Sequence, residues 1–167
     1  LAPVSGDSQA ARPLKERGVP LVLLDRRLDD MGADVVRGDS LGGTLRLMEL
    51  LLELGHRRIA LVGGPMAVST AYDRWLGYRQ GLQQAGLPVH PDWERFGPFT
   101  REAGYRETMD RLAGEARPTA VVAANCSLAV GAMQAFREMG IDVPKDVSLV
   151  TFDDMPEHTV QAFFTVC

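Results

Sequence analysis

Polar side chains follow several apolar runs of this sequence that have the composition of buried strands. They are Asp25, Thr70, Arg74, Asn125 and Asp153. Arginine offers a planar fork of donors, asparagine both donors and acceptors, and aspartate acceptors. Such a set pairs well with the hydroxyl groups of a polyhydroxylated molecule. We therefore predict a binding site for a polar, largely uncharged small molecule. Phe99, Trp75 and Trp93 are able to give it an apolar face, although core packing is the commoner role of aromatic residues.

The elements that would position these residues alternate between strands and helices. Strands are predicted at residues 1–4, 20–24, 58–62, 119–123 and 147–152, with a short edge strand near 94–97. Helices are predicted at 8–17, 40–54, 73–85, 101–113 and 127–139, and a glycine follows each of them at or near its end. The strand-like runs are almost continuously apolar, which is typical of strands covered on both faces. The order predicts an α/β fold with a parallel sheet, whose ligands bind at the carboxyl ends of the strands.

Phosphate binding and hydrolysis are disfavoured by the motifs. The Gly63-Gly64-Pro65 segment matches neither G-x-G-x-x-G nor a P-loop, and no lysine follows it. We interpret the two glycines as a sharp turn after a buried strand. The serine nucleophile motif G-x-S-x-G is absent. Cys126 and His158 are a possible catalytic pair, but no third group that would orient them is recognisable.

Metal binding is also disfavoured, because Asp153 and Asp154 form the only adjacent acidic pair after a strand. Neighbours in an extended segment point in opposite directions, so we expect no metal site and no cofactor. The mixed-sign segment at residues 25–39 is interpreted as solvated loop surface.

Composition limits the class of protein. The 167 residues are 46% hydrophobic, enough to bury a core, and the net charge of −4 argues against a basic surface for nucleic acid. Two cysteines and no cleavable signal pattern fit a reducing cytoplasm. No run reaches the ~20 apolar residues of a membrane span, so we expect a soluble protein without membrane contact. The chain begins with Leu1 and ends in an apolar run, so we expect a piece of a longer protein.

Several linked motifs resemble the effector-binding region of bacterial transcription repressors of the LacI/GalR type. They occur in order with matching spacing, and cover nearly the whole chain: "GVPLVLLDRR", "GDSLGG", "GHRRIALVGGP", "STAYDRWLGYRQGLQQAGL", "TREAGY", "RPTAVVAAN" and "AVGAMQAFREMGIDVPKDVSLVTFDD". The resemblance implies a periplasmic-binding-protein-like fold, a three-layer parallel-sheet sandwich that is here mostly the C-terminal subdomain. Residues 1–35 would be a remnant of the N-terminal subdomain. Residues 36–158 would be the C-terminal subdomain, and 159–167 the start of a return crossover.

The resemblance also assigns roles to single residues. Arg74 matches the arginine that grips the effector, with Thr70 at a neighbouring contact position. Asn125 and Asp153 match an effector-contacting pair. Two more matches are Asp25, which would face the cleft from the N-terminal subdomain, and Phe99, which would stack on the ligand. Cys126 stands where the family usually has aspartate, which predicts the loss of a helix-capping carboxylate.

The function implied is that of a ligand sensor without catalytic activity. A sugar or nucleoside-like effector would bind between the subdomains and change the affinity of a separate DNA-binding headpiece for its operator. The partners implied are this effector, operator DNA through the headpiece only, and a second copy in a homodimer. An alternative is a sugar-binding protein of a transport system on the same fold. A further alternative is an α/β enzyme that uses Cys126.

Overall fold

The computed structural model describes residues 1–3, 7–112, 117–153 and 164–166. Its helices are α1 (Arg12–Glu16), α2 (Ser40–Glu53), α3 (Ser69–Gln84), α4 (Arg101–Leu112) and α5 (Cys126–Glu138). Its strands are β1 (Val22–Leu24), β2 (Asp34–Val36), β3 (Ile59–Gly63), β4 (Glu94–Phe96), β5 (Ala120–Ala123), β6 (Ser148–Phe152) and β7 (Phe164–Val166). A 3-10 turn at Pro91–Trp93 precedes β4.

The larger part of the chain is a three-layer sandwich around a parallel sheet, which confirms the predicted fold class. The sheet has five strands in the order β4-β3-β5-β6-β7, and all neighbours pair in parallel. The carboxyl ends of β3, β5 and β6 therefore meet at one edge.

Both faces of this sheet are buried because its strands are apolar at successive positions. Ile59 and Leu61 pack in one cluster with Leu47 of α2 and Tyr78 of α3. Ala60 and Val62 point to the other face, where they share a cluster with side chains of α4 and α5 that includes Leu128 and Phe136. The alternation of side chains along a strand explains this division.

Glycines set the spacing of the helix pair α4–α5. A Cβ atom on Gly131 would lie 2.0 Å from the backbone oxygen of Arg101, and one on Gly104 would lie 2.2 Å from that of Leu128. The two backbones therefore approach more closely than any side chain at these positions would allow.

The N-terminal residues form a separate small unit. Strands β1 and β2 pair in parallel as a two-stranded sheet, and the buried hydrophobic side chains there belong to Ala11, Leu23, Leu28 and Met31. The interpretation of residues 25–39 as loop surface misses β2. Residues 1–3 contain no strand, although Leu1 exchanges two backbone hydrogen bonds with β1, at Val22 and Leu24.

The ends of the helices follow the predicted glycines. Gly18, Gly55, Gly86 and Gly140 have φ between 65° and 88°, the left-handed conformation that favours glycine after a helix. Gly114 lies outside the described residues. Helix α1 is shorter than predicted and begins at Arg12. The backbone oxygen of Ser8 accepts hydrogen bonds from the N–H groups of Ala11 and Arg12. Its hydroxyl does not cap the helix but donates to Asp30.

The predicted domain limits near residues 35 and 158 stay predictions. Strand β2 spans the first of them, and β7 lies beyond the second, where it extends the five-stranded sheet beside β6. Within the described residues, no helix combines the length and apolar character needed to cross a bilayer.

Candidate functional site

Helix α3 carries two of the predicted site residues in its first turns. The helix begins at Ser69, four residues earlier than predicted, so Thr70 lies on the same helix as Arg74 and not on the preceding loop. Val68 occupies the N-cap position without a side-chain hydrogen bond, which is why no capping residue marks this start in the sequence. Residues four apart share one face of a helix, so the two side chains are neighbours. Both are buried, with 2% of Thr70 and 7% of Arg74 exposed.

Arg74 is held at the carboxyl ends of two strands. Its Nη1 donates to the backbone oxygen of Ala124, 2.7 Å away, directly after β5. Its guanidinium lies over the ring of Phe152, with Cζ 3.9 Å from the ring centroid, at the end of β6. The buried Nε has no protein partner. Arg74 therefore has a fixed position and unused donor capacity.

Two aspartates face this arginine from different parts of the chain. The Oδ1 atom of Asp153 lies 3.9 Å from Nη2 of Arg74. Burial lowers the pKa of Arg74, and the negative charges of Asp153 and Asp25 act in the opposite direction. Arginine nevertheless stays protonated at neutral pH.

Asp25 and Asp153 also share an unusual backbone conformation. Their φ angles are 69° and 74°, and they are the only residues other than glycine with positive φ in the part of the chain that the structure describes. Aspartate tolerates this conformation better than most residues, but it costs free energy and is concentrated at functional sites. Each aspartate comes directly after a strand, β1 for Asp25 and β6 for Asp153.

Asn125 lies next to Ala124 and starts helix α5. Its side chain accepts a hydrogen bond of 3.0 Å from the backbone N–H of Leu128, so it is the N-cap. The expectation that Cys126 costs the helix its capping group is therefore wrong, because Cys126 is the first residue inside the helix. The amide NH₂ of Asn125 is not used by the cap, which leaves it able to donate to a ligand.

Phe99 lies against the glycine pair that ends β3. A Cβ atom on Gly64 would lie 2.2 Å from Cζ of Phe99, and one on Gly63 would lie 2.8 Å from the ring of Phe96. Gly63 is still part of β3, and the chain turns after the glycines, where the backbone N–H of Val68 donates to the oxygen of Pro65. The two glycines make room for two aromatic rings. Trp75 and Trp93 pack against the two cores instead.

Arg26 is a neighbour of the site that is not among the six predicted residues. Its guanidinium lies 5.9 Å from the centroid of Phe99, and its Nε lies 3.6 Å from Oδ2 of Asp25. Arg26 therefore connects the aromatic residue to the aspartate. Its position two residues after the end of β1 marks it in the sequence.

A hollow of about 450 Å³ lies close by, but it does not contain the six predicted residues. Its lining consists of Arg27, Asp29, Asp30, Met66, Ala67, Ser69 and Tyr72. Two of the polar residues of this hollow already have partners: the hydroxyl of Ser69 accepts from the backbone N–H of Arg27, and Asp30 accepts from Ser8 and Arg12. We place the candidate site at Arg74, where donor capacity is unused.

The arrangement of the described residues gives no support for metal binding or for catalysis by Cys126. Among the described residues, no group of three histidine, cysteine or acidic side chains is placed to hold a metal ion. Cys126 is a half-buried free thiol, and its suggested partner His158 lies outside the described residues.

Comparison with known proteins identifies relatives among bacterial repressors. A family described as "periplasmic binding protein-like domain" matches residues 48–166. The repressor PurR of Pasteurella multocida is 34% identical over 137 residues, which are 82% of this chain and 41% of that protein. The chain thus spans about two fifths of the length of this curated relative.

Solved structures agree with this result. A regulatory protein of the LacI family from Chloroflexus aggregans superimposes with a TM-score of 0.84 at 33% identity, over 93% of this chain and 56% of that one. The regulator CelR in complex with cellobiose gives a TM-score of 0.81 at 33% identity, over 93% of this chain and 48% of that one.

Proposed function

Because the chain belongs to the effector-binding domains of LacI/GalR-type transcription regulators, we propose that it binds a small polar effector at Arg74. The ligand-binding residues are Asp25, Thr70, Arg74, Phe99, Asn125 and Asp153. The ligand lies between residues 1–35 and the C-terminal subdomain. It controls operator binding by a headpiece that is not in this sequence.

The observation that carries this proposal is the pair of aspartates in left-handed conformation around one buried arginine. Asp25 and Asp153 come from different sheets, and both act electrostatically on Arg74. A ligand that bonds to both carboxylates and to the guanidinium would offset the free energy that the conformation costs.

The charges of the site favour a ligand rich in hydroxyl groups and without a large net charge. The positive charge of Arg74 is matched by Asp153, and the charge of Arg26 lies beside Asp25. The carboxylates accept hydrogen bonds from vicinal hydroxyls, and the amide of Asn125 both accepts and donates. Phe99 offers its ring to an apolar face of a sugar or base. The cellobiose that CelR holds is a ligand of this class. We therefore assign a sugar or a nucleoside-like molecule as the effector.

The mechanism is a shift between two relative orientations of the subdomains. A ligand that contacts both Asp25 and Arg74 has its best contacts in only one orientation, and it stabilises that orientation by the difference in affinity. In a cytoplasmic homodimer, this change would alter the spacing of two headpieces and hence their affinity for operator DNA.

A thermal-shift screen of sugars, nucleosides and polyols on the full-length protein tests the proposal. We expect at least one compound to raise the melting temperature, because a ligand that binds only the folded state stabilises it. Arg74→Lys keeps the charge but loses the planar fork, so it should weaken the binding of that compound at least tenfold, about 1.4 kcal/mol. Arg106→Lys, on the exposed side of α4, is the matched control. Unchanged affinity in Arg74→Lys would remove Arg74 from the site.

Addition of the same compound in a gel-shift assay tests the regulatory step. The full-length protein should change its affinity for operator DNA when the compound is present. A protein that binds the compound but no DNA would contradict the regulator function and would favour the transport protein instead.

A further inference from the structure

Asp73 joins the N-terminal unit to helix α3 through two arginines. Nη1 and Nη2 of Arg27 lie 3.4 and 3.5 Å from the two carboxylate oxygens of Asp73, and Arg37 donates to Oδ2. We call these three residues the arginine clasp. Arg27 and Arg37 lie on either side of β2 in the sequence, and Asp73 lies in the second turn of α3.

A further hydrogen bond strengthens the attachment at the same place. The backbone N–H of Arg27 donates to the hydroxyl of Ser69, 2.8 Å away, at the first residue of α3. Two successive turns of this helix therefore bind the chain just after β1. Arg74, the centre of the proposed site, is the next residue after Asp73.

The clasp differs from an ordinary surface ion pair. Only 10% of the Asp73 side chain is exposed, whereas both arginines are about one third exposed. Exposed ion pairs contribute little to stability, because water screens them and side-chain entropy opposes them. A buried carboxylate with two cationic partners behaves differently, since its removal takes the ion-pair partner from Arg37 and leaves Arg27 with only the exposed Asp29.

We propose that Asp73 is a positioning residue that holds Asp25 opposite Arg74. Asp25 is two residues before Arg27, so a fixed Arg27 leaves Asp25 little freedom to move away from α3. The clasp thus sets how the N-terminal unit lies against the C-terminal subdomain, and it acts before any ligand is present. Its effect on ligand affinity rests on the proposed function, but its effect on the position of residues 22–37 does not.

Hydrogen–deuterium exchange of the full-length protein without ligand tests the clasp. In Asp73→Asn, the amides of residues 22–37 should exchange about tenfold faster, because the amide group cannot neutralise two arginines. The matched control is Glu107→Gln, which changes a carboxylate with an exposed fraction of 14% that pairs with Arg106 inside one helix. It should leave exchange at 22–37 unchanged.

Salt and conservative variants separate positioning from a general loss of stability. High salt should speed exchange at 22–37 in the wild-type protein but much less in Asp73→Asn, where the ion pairs are already absent. Arg27→Gln and Arg37→Gln alter side chains that are more exposed than Asp73 and lie outside α3, so they report on the clasp even where Asp73→Asn fails to fold. Asp73→Glu should restore part of the protection.

The proposal is overturned when residues 22–37 keep wild-type exchange in both arginine variants. It is also overturned when every element, including α4 and α5, loses protection equally, because that result marks global destabilisation. A negative ligand screen together with local loss of protection would contradict the proposed function and leave the clasp in place.

Discussion

A single side chain can have two roles at this site, and Asn125 is the clearest example. Its oxygen caps α5 by accepting from Leu128, while its NH₂ group is directed by the same rotamer and has no role in the cap. The sequence predicts a ligand contact here and no cap, whereas the structure shows the cap. A substitution that keeps the oxygen of Asn125 but removes its NH₂ group separates the two roles.

Asn125→Asp should keep the helix but weaken ligand binding. An aspartate oxygen caps as well as an asparagine oxygen, so we expect little change in the free energy of unfolding. The donor is lost, so affinity for the compound found in the screen should fall. Urea unfolding and calorimetry measure the two effects. Asn125→Ala is the comparison, and it should also cost about 1 kcal/mol of stability. Unchanged affinity in both variants would leave Asn125 with the cap alone.

His56, which lies far from the site, should make the stability of the fold depend on pH. It lies before β3, and its two ring nitrogens are each 3.0 Å from a hydroxyl oxygen, of Thr119 and Ser148. Burial lowers the pKa of His56 in the folded protein. The unfolded chain therefore binds the proton more readily, and stability should be lost as the pH falls below about 6.5.

Urea unfolding at about pH 7.5 and about pH 5.5 measures this loss. His56→Gln should reduce the difference in unfolding free energy between the two pH values, because the titrating group is gone. His90→Gln, in the loop before β4, is the control and should keep the difference. A difference of the same size in His56→Gln would assign the pH dependence to other groups.

At the scale of elements, the sequence predicts those helices and strands whose bounds are set by apolar periodicity and by glycine. Helix α2 is predicted almost to the residue, because an apolar stripe precedes Gly55 and Asp39 caps its start. Strand β2 (Asp34–Val36) is missed because its only two apolar residues stand between the charged Asp34 and Arg37, too few for an apolar run. The early start of α3 is missed because Val68 supplies no capping signal.

The candidate site is likewise predictable only where local sequence determines it. The rule that ligands lie at strand ends selects Asp25, Asn125 and Asp153 from sequence alone. The left-handed backbone of the two aspartates, the position of Phe99 against Gly64 and the arginine clasp depend on contacts distant in the chain. Local patterns do not contain them.

The close approach of α4 and α5 gives a prediction for stability. Gly131→Ala would place a methyl group 2.0 Å from the backbone oxygen of Arg101, and backbone cannot rotate away as a side chain can. We expect a loss of about 1–3 kcal/mol in the free energy of unfolding, measured in urea. Gly38→Ala is the control, since no atom lies within 4 Å of a Cβ there. Equal stability of the two variants would mean that the helices can separate without cost.

At the scale of the whole molecule, the two units have separate cores. The two clusters around the five-stranded sheet take their buried residues from position 47 onward, and the third contains Ala11, Leu23, Leu28 and Met31. In the described residues, the contacts that join the units include the arginine clasp, the Ser69 hydrogen bond and the approach of the Arg26 guanidinium to the ring of Phe99. A junction of this kind between separate cores is suited to a change of orientation, because each orientation keeps both cores intact.

A protein that lacks residues 1–37 should therefore fold and yet fail to bind the effector. Its sheet and both of its main cores remain, so we expect a single cooperative urea transition. Ligand stabilisation should disappear, because Asp25 is absent. Asp25→Asn in the full chain is the companion variant: it keeps the clasp and removes only the charge, so its affinity should lie between those of the wild-type and shortened proteins. If the shortened protein bound the effector with wild-type affinity, the ligand would contact the C-terminal subdomain alone, and the shift between two orientations would lose its physical basis.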